Sequence, residues 1–479
     1  MGETASKPPY NHPEQPNGHS GGTRNMYPLI KALEILEKVP LCNSCLGRQF
    51  ALLGMGSNNS SRGHALKLVF TMAASYMLRE NTEEAIRILK VLATNGMFQP
   101  AIETLQKEGI EIGEETRRCY VCSGLMSKKK EVAEKVVSKL KEYDYRNFLI
   151  GCHVPTSLTE RDDELKALHQ IDTGESIKAE FNREVGKLVS AMTGKPVDFK
   201  NPDVVAVVNL ENLEVTVNSN PLYIAGRYLK HMRGIPQTKW PCRACKGEGC
   251  PRCNGTGKMY AESVEELILA PMLEETRGDE GKFHGAGRED IDARMLGTGR
   301  PFIVEIKNPK KRNIDLKLLE EKINAYAQGK VEVHSLHFAV KENVRQLKAL
   351  SEFAPKTYRA LVKLDREVTP QELEQLEKQL TGQTIRQKTP RRVAHRRAMK
   401  TRLKKVYQVQ AKQIDPRTIE LVVTCQGGLY VKELVTGDKR RTRPSVSEIL
   451  QTKAECTELD VIDVGTLTPQ EIEEVVEQQ

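Results

Sequence analysis

The chain has 479 residues, so two or three domains are expected, each able to bury its own core. Its formal net charge of +9 is compatible with nucleic acid or an anionic membrane surface as a partner, and equally with a merely basic protein. No apolar stretch approaches the roughly 18 uncharged residues that span a bilayer, and residues 1–25 lack the apolar core of a secretory signal, so we expect a cytoplasmic protein without membrane contact.

Composition and periodicity divide the chain into five regions. They are a disordered tail (residues 1–25), a helical zinc-binding region (26–128), an α/β module (129–235), a compact four-cysteine insert (236–260) and a C-terminal domain (261–479). The tail is rich in Pro, Gly, Asn and His and has almost nothing to bury. The helical region is predicted from apolar residues at helical spacing, such as Ala85, Ile88, Leu89 and Leu92.

The α/β module is predicted from helices that alternate with strands. Helical spacing covers residues 132–140 and 177–192, and strand-like runs cover residues 148–152, 204–208 and 215–217. Such alternation over about 90 residues is typical of a compact α/β domain.

The C-terminal domain shows strands and helices without strict alternation. Strands are predicted at residues 302–306, 336–340, 358–364, 406–411 and 419–425, and helices at 315–327, 370–380 and 472–477. This pattern favours the α+β class with a mixed sheet.

Eight of the eleven cysteines form four CxxC pairs, which predicts metal sites in a reducing compartment. The first site would combine Cys42, Cys45, Cys119 and Cys122, and the second Cys242, Cys245, Cys250 and Cys253. Four thiolates leave no open position, so each site is interpreted as structural zinc. The alternatives are free buried cysteines for the first group and a redox dithiol for the second.

Two acids, Asp290 and Asp292, lie between Arg288 and Arg294 just ahead of an apolar strand. Charge at the end of a buried strand often marks a functional site. On composition alone, a solvated loop with surface ion pairs is the favoured interpretation of the segment.

Motifs along this domain resemble those of the archaeal tRNA pseudouridine 54/55 synthase family. Residues 287–290 (GRED) resemble the GR-x-D motif, residues 356–360 (KTYRA) the KxYxA motif, and residues 428–434 (GLYVKEL) the G-x-Y-[IV]-[KR]-x-[LF] block. The string IRQKTPRRVAHRRAMKTRLKKV resembles the basic loop of the family. Upstream, FKNPDVVAVVNLENLEVTVNSNPLYIAGRYLK resembles the THUMP domain of RNA-modifying enzymes.

The resemblance implies an isomerase that converts uridine 54, uridine 55 or both in the TΨC loop of tRNA. Asp290 would be the nucleophile, attacking C6 of the uracil or C1′ of the ribose, and Lys432 would pair with it. Asp292 is a rival nucleophile that the motif spacing disfavours. Tyr358 would contact the uracil and take the C5 proton, and Tyr430 would be a second substrate contact. Leu450 would be an apolar wall beside the base.

Residues 385–405 are expected to grip RNA phosphates as a basic loop. The candidate RNA-binding residues are Arg227, Lys230, Arg391, Arg392, Arg396 and Arg397. The implied partner is tRNA, and no organic cofactor, no obligate protein partner and nothing beyond a monomer is required. The alternative functions are a non-catalytic zinc-containing RNA-binding or RNA-chaperone protein and, more weakly, a zinc-dependent base deaminase, for which the HxE or CxE arrangement is missing.

Overall fold

The computed structural model describes residues 27–112, 117–395 and 397–465. The expected tail at 1–25 and the expected helix at 472–477 lie outside these residues. The chain forms two compact units, and the smaller one comprises residues up to 140, 147–200 and 205–217. Among the described residues, no helix is both long and apolar enough to cross a membrane.

The smaller unit contains a helical part followed by a small sheet with helices. Its elements are α1 Tyr27–Lys38, α2 Asn43–Arg48, α3 Asn59–Met77, α4 Thr82–Thr94, α5 Gln99–Lys107, α6 Lys129–Leu140, β1 Phe148–His153, α7 Thr156–Leu168, α8 Ile177–Thr193, β2 Val204–Asn209 and β3 Val215–Ser219. Polar side chains begin several helices; for example, the side chain of Asn58 accepts a hydrogen bond from the Ser61 amide, 2.8 Å away, before α3. The strand order is β1-β2-β3. The expected helical and α/β regions are therefore both present.

The larger unit is built on one ten-stranded sheet. Its elements are β4 Leu222–Lys230, α9 Val264–Thr276, β5 Glu280–Gly285, β6 Arg294–Lys307, α10 Leu316–Ala327, β7 Val331–Ala339, α11 Lys341–Phe353, β8 Pro355–Leu364, α12 Pro370–Leu380, β9 Thr384–Lys388, β10 Thr401–Asp415, β11 Thr418–Gln426, α13 Val431–Thr436, β12 Thr442–Arg443, α14 Val446–Ile449 and β13 Ala454–Val464. The strand order is β12-β9-β10-β11-β8-β13-β6-β4-β7, and β5 pairs with β6. Because β13 runs parallel to β6 while its pairing with β8 is antiparallel, the sheet is mixed and the α+β prediction is confirmed.

Two local features differ from the sequence prediction. Strand β4, which falls within the predicted module ending at residue 235, pairs with β6 and β7 in the large sheet. The basic segment 385–405 is only partly a loop, because β9 pairs antiparallel with the start of β10. Its charges hide this hairpin in the sequence, although Ile385 and Gln387 are both buried.

Candidate active site

The segment 286–293 joins β5 to β6 and carries Asp290. Gly287 adopts a φ of +83°, and a Cβ at this position would lie 2.9 Å from the Nζ of Lys356 and 3.2 Å from the Nη1 of Arg300. The turn therefore requires glycine, both for its conformation and for space. Three residues later, the side chain of Asp290 is 27% exposed, so its carboxylate remains accessible.

A set of buried polar side chains, called the buried network below, supports this segment. It consists of Tyr228, Lys230, Gln237, Glu289 and Arg300. The carboxylate of Glu289 accepts hydrogen bonds from the Tyr228 hydroxyl at 2.8 Å and from the Nε of Arg300 at 2.9 Å. Arg300 and Gln237 also donate to loop carbonyls at 2.8 and 2.9 Å. These hydrogen bonds fix the backbone of the loop 286–293 from its buried side.

Lys230 belongs to this network rather than to an RNA surface. Its side chain is fully buried, and its Nζ donates to the backbone carbonyls of Ile235 at 2.9 Å, Ile291 at 3.2 Å and Asp290 at 3.3 Å. A buried ammonium needs such partners because it has lost its water. The prediction that Lys230 contacts RNA is therefore wrong. The lysine instead holds the backbone of Asp290.

Arg227 is also engaged within the protein. Its guanidinium donates to the carbonyls of Thr298 at 2.6 Å, Val464 at 2.9 Å and Gly299 at 3.0 Å. It therefore ties β4 to the part of β6 where the pairing register shifts, and to the end of β13. These contacts use most of its donors, so the proposed role in RNA binding finds no support here.

Asp290 and four charged side chains near it are called the Asp290 cluster below: Asp290, Asp292, Arg392, Lys432 and Glu433. The Nη1 of Arg392 lies 3.1 Å from Oδ1 and 2.9 Å from Oδ2 of Asp290. Lys432, the expected partner, has its Nζ 3.9 Å from Asp290 but 2.6 Å from Asp292. Among the described residues, Arg392 is therefore the cation closest to Asp290. Lys432 pairs mainly with Asp292 and is farther from Asp290 than Arg392 is.

Tyr358 lies on β8, in the middle of the large sheet, opposite Val423 of β11 and Val461 of β13. It is partly buried and packs against two of the hydrophobic core clusters of this unit. Burial, together with the nearby Cys425 thiol, raises the pKa of its hydroxyl well above the ordinary value. The resting side chain is thus a neutral phenol, suited to ring contact and hydrogen-bond donation.

Tyr430 and Leu450 differ in accessibility. The backbone of Tyr430 is fixed by Gln387, whose side-chain oxygen and nitrogen bond its amide at 2.9 Å and its carbonyl at 3.1 Å. The guanidinium of Arg392 lies 5.8 Å from the centre of the Tyr430 ring. Leu450 is only 2% exposed and belongs to the core around Leu434. Its contact with a base remains a prediction.

The basic segment has a packed base and an exposed tip. At the base, Thr389 is fully buried and Val393 is 3% exposed, which anchors the short 3₁₀ turn Arg391–Val393. Arg391 and Arg397 are exposed, as phosphate contacts require, and Arg396 lies outside the described residues. Arg392 differs from the predicted phosphate-binding role, because its guanidinium pairs with Asp290.

The first cysteine group brings together two segments far apart in the sequence. Its four Sγ atoms all lie within 4.8 Å of one another, and those of Cys42 and Cys122 are 3.7 Å apart. Four sulfurs around one zinc ion would be about 3.8 Å apart, given a zinc–sulfur distance of about 2.3 Å and tetrahedral angles. The Cys45 amide donates to the Cys42 sulfur at 3.4 Å. The group therefore fits a metal ion.

The second group, Cys242, Cys245, Cys250 and Cys253, has the same spacing. Adjacent sulfurs lie 3.7 to 4.0 Å apart. Amides of Gly249 and Gly257 donate to two of these sulfurs at 3.2 Å, an arrangement that stabilises thiolate charge around a metal. Both four-cysteine groups can thus bind zinc.

Comparisons with known proteins agree over most of the chain. The family model described as "Pus10, C-terminal" matches residues 223–465, and that described as "Pus10 THUMP domain, archaeal" matches residues 132–209. Relatives named tRNA pseudouridine synthase Pus10 include one from Methanothrix thermoacetophila, 43% identical over 91% of this chain and 94% of the relative. Another, from Methanocaldococcus jannaschii, is 46% identical over 90% of this chain and 93% of the relative. The chain belongs to the Pus10 family.

The two Pus10 matches agree with the architecture. The C-terminal match begins within β4 and ends just after β13, so it includes all strands of the large sheet. The THUMP match begins in α6 and ends with β2, within the predicted α/β module. The resemblance to the archaeal family and to a THUMP domain is therefore confirmed.

Sequence reasoning missed the buried network and the position of Arg392. Tyr228, Lys230 and Arg300 lie at buried, inward-facing positions of strands β4 and β6. A charged residue at an inward position of a strand is costly unless it is paired, and this was the available signal. This signal shows that a buried charge needs a partner but does not say which residue it is. Glu289 and Arg300 meet only because the chain between them folds back. No signal distinguished Arg392 from the other cations of the basic segment.

Proposed function

We propose that this chain is a tRNA pseudouridine synthase that isomerises uridine 54, uridine 55 or both in the TΨC loop, with Asp290 as the nucleophile. The observation that carries the proposal is the state of Asp290, an accessible carboxylate held at about 3 Å by a guanidinium, on a loop fixed by buried hydrogen bonds. A nucleophilic carboxylate must be ionised and within reach of the substrate. Asp292 is less suitable, because its carboxylate is 68% exposed and is bound to Lys432.

The reaction needs no organic cofactor, since one glycosidic bond breaks and a carbon–carbon bond replaces it within the same site. Asp290 attacks C6 of the uracil or C1′ of the ribose. Tyr358, whose hydroxyl is near enough to Asp290 to interact with its charge, contacts the base. Because the pKa of Tyr358 is raised by burial, we favour ring contact and hydrogen-bond donation over proton abstraction for this residue.

The target uridine must leave its stack before it can reach Asp290, at a cost of a few kcal/mol. We assign the grip on the surrounding phosphates to the exposed tip of the basic segment, including Arg391 and Arg397. Such contacts give affinity and salt dependence without reading sequence. We propose that the chain acts on tRNA in the cytoplasm as a monomer.

We propose that both four-cysteine groups bind structural zinc. With four thiolates the coordination is complete, so neither ion activates water. Metal analysis of the purified protein should give two zinc ions per chain. Cys45→Ser and Cys250→Ser should each remove one ion. Purified wild-type protein that contains no zinc, and whose melting temperature does not change when zinc is added, would contradict the assignment.

The activity is tested by carbodiimide mapping of pseudouridine in an unmodified archaeal tRNA transcript. Wild type should give product in the TΨC loop, Asp290→Asn should give none while still binding tRNA, and Asp292→Asn is the matched control that should retain activity. No product from wild type despite tight tRNA binding would favour a non-catalytic RNA-binding protein. Product from Asp290→Asn would exclude this residue as the nucleophile.

A further inference from the structure

Arg392 has contacts that a phosphate-binding side chain does not need. Its Nη1 reaches both oxygens of Asp290, while its Nε and Nη2 donate to Glu433 at 2.7 and 3.3 Å. Glu433 is only 6% exposed and lies on α13, and Val393 fixes the turn that carries the arginine. The guanidinium is therefore held on two sides by the large unit itself.

We infer that Arg392 is a further catalytic residue, the cation that remains beside the negative charge as it passes from Asp290 to the uracil. This inference rests on the proposed function. When Asp290 attacks C1′, an oxygen–carbon bond forms, the bond between C1′ and N1 breaks, and its electron pair leaves with the uracil. When Asp290 attacks C6, the electrons of the C5–C6 double bond move to the C4 carbonyl oxygen. By either route the carboxylate becomes a neutral group and the uracil becomes anionic.

The geometry places Arg392 correctly for both routes. Whichever oxygen of Asp290 forms the bond, an N–H of Arg392 lies about 3 Å from it, since the two distances are 3.1 and 2.9 Å. On the C6 route the anionic base is bonded to this oxygen, and on the C1′ route the ribose is bonded to it and the uracil anion is released beside it. In both cases the N–H that had faced the Asp290 carboxylate is the donor available to the new anion, while Glu433 keeps the other side of the guanidinium. Donors that are fixed before the charge develops need no reorganisation and stabilise it strongly.

Lys432 is less suited to this role. Its Nζ is 3.9 Å from Asp290 and donates to Asp292 at 2.6 Å, a partner that keeps its charge throughout the reaction. Arg392 loses the charge of one partner but keeps Glu433, so it stays in place when Asp290 is esterified. Glu433 is accordingly a positioning residue.

The test measures the single-turnover rate at saturating enzyme and the Kd for an unmodified tRNA transcript, separately. Arg392→Gln should lower the saturated rate about 10²- to 10³-fold, the range for loss of one preorganised donor, and change Kd less than about threefold. Arg392→Lys should recover part of the rate, because it restores the charge without the second branch. Arg397→Gln, at the exposed tip, should instead weaken Kd and its salt dependence.

A matched control is Lys378→Gln, which removes one positive charge from an exposed site on α12 and should leave the rate within about twofold. A fall of less than tenfold in the saturated rate of Arg392→Gln overturns the inference, whatever happens to Kd. If Arg392→Gln melts more than about 5 °C below wild type, Glu433→Gln is used as the test instead. Its saturated rate must then fall at least threefold for the inference to stand. Absence of product from wild type, or product from Asp290→Asn, would refute the proposed function itself before Arg392 is considered.

Discussion

Glu289 and Asp290 are neighbours in the sequence, yet they lie in opposite environments. Glu289 has no exposed side-chain surface and is bonded to Tyr228 and Arg300 in the buried network. Asp290 is 27% exposed and belongs to the Asp290 cluster, whose cations come from the basic segment and from α13. One carboxylate therefore holds the loop, and the other is presented by it.

This difference shows how the large unit separates stability from chemistry. Breaking a buried pair costs several kcal/mol because the remaining charge has no water to replace its partner. An exposed pair contributes little, about 0 to 1 kcal/mol, so its members can change partners during a reaction. The buried network holds the loop 286–293 rigidly and so fixes the position of the Asp290 carboxylate. The following changes test that separation, from the largest expected effect to the smallest.

Glu289→Gln should destabilise the large unit by about 3–5 kcal/mol, since it leaves the buried guanidinium of Arg300 without its anion. Asp290→Asn removes the same charge one residue later and should change the free energy of unfolding by less than about 1 kcal/mol. Urea unfolding followed by the fluorescence of Trp240, the single tryptophan, measures both. Equal losses in the two variants would end the distinction between the two regions.

Lys356→Met tests the charge balance beneath the loop. Burial, and then the charge of Arg300, lowers the pKa of Lys356 to about 7, from an ordinary value of 10.5. Between these values the unfolded chain holds a proton that the folded chain has lost, so the stability of wild type should rise with pH. At about 1.4 kcal/mol per pH unit, the rise between about pH 7.5 and 9.5 is about 2 to 3 kcal/mol.

Lys356→Met should lack this contribution. The informative quantity is the wild-type free energy of unfolding minus that of the variant, measured by urea titration at several pH values, because other titrating groups then cancel. A difference that does not change with pH would mean that Lys356 remains protonated in the folded protein. Lys230, Arg300 and Lys356 would then all be charged near Glu289, and a further anion would be needed to neutralise them.

The sequence was informative about the site where chemistry fixes a motif. The motif around Asp290 and the four CxxC pairs require particular residue types at particular spacings, so they could be recognised without coordinates. Arg392 and Lys230 could not be assigned in this way. Both are cations in segments that contain others, and whether a cation meets a phosphate, a carboxylate or a backbone carbonyl depends on contacts between distant parts of the chain.

The fold shows the same division. Strands with long apolar runs, such as β6 and β11, were predicted, because burial on a sheet face leaves a clear pattern. The sequence predicts a loop for strand β9 and the start of β10, since this hairpin near the end of the sheet alternates exposed Lys and Arg with few buried residues. The place of β4 in the large sheet was missed, because strand partners far apart in sequence leave no local signal.

Tyr228→Phe should give the smallest of the three effects. The pKa of the Tyr228 hydroxyl is raised by burial and by the charge of Glu289, so the hydroxyl stays protonated and donates to that carboxylate, and it also accepts from Gln237 at 2.8 Å. Phenylalanine removes both bonds but leaves the Arg300 pair and the second bond of Gln237, so we expect a loss of about 1 kcal/mol. If this loss instead matched that of Glu289→Gln, the hydroxyl rather than the ion pair would be the main support of the loop. The saturated isomerisation rate of this variant would then decide whether support from below is needed for chemistry as well as for folding.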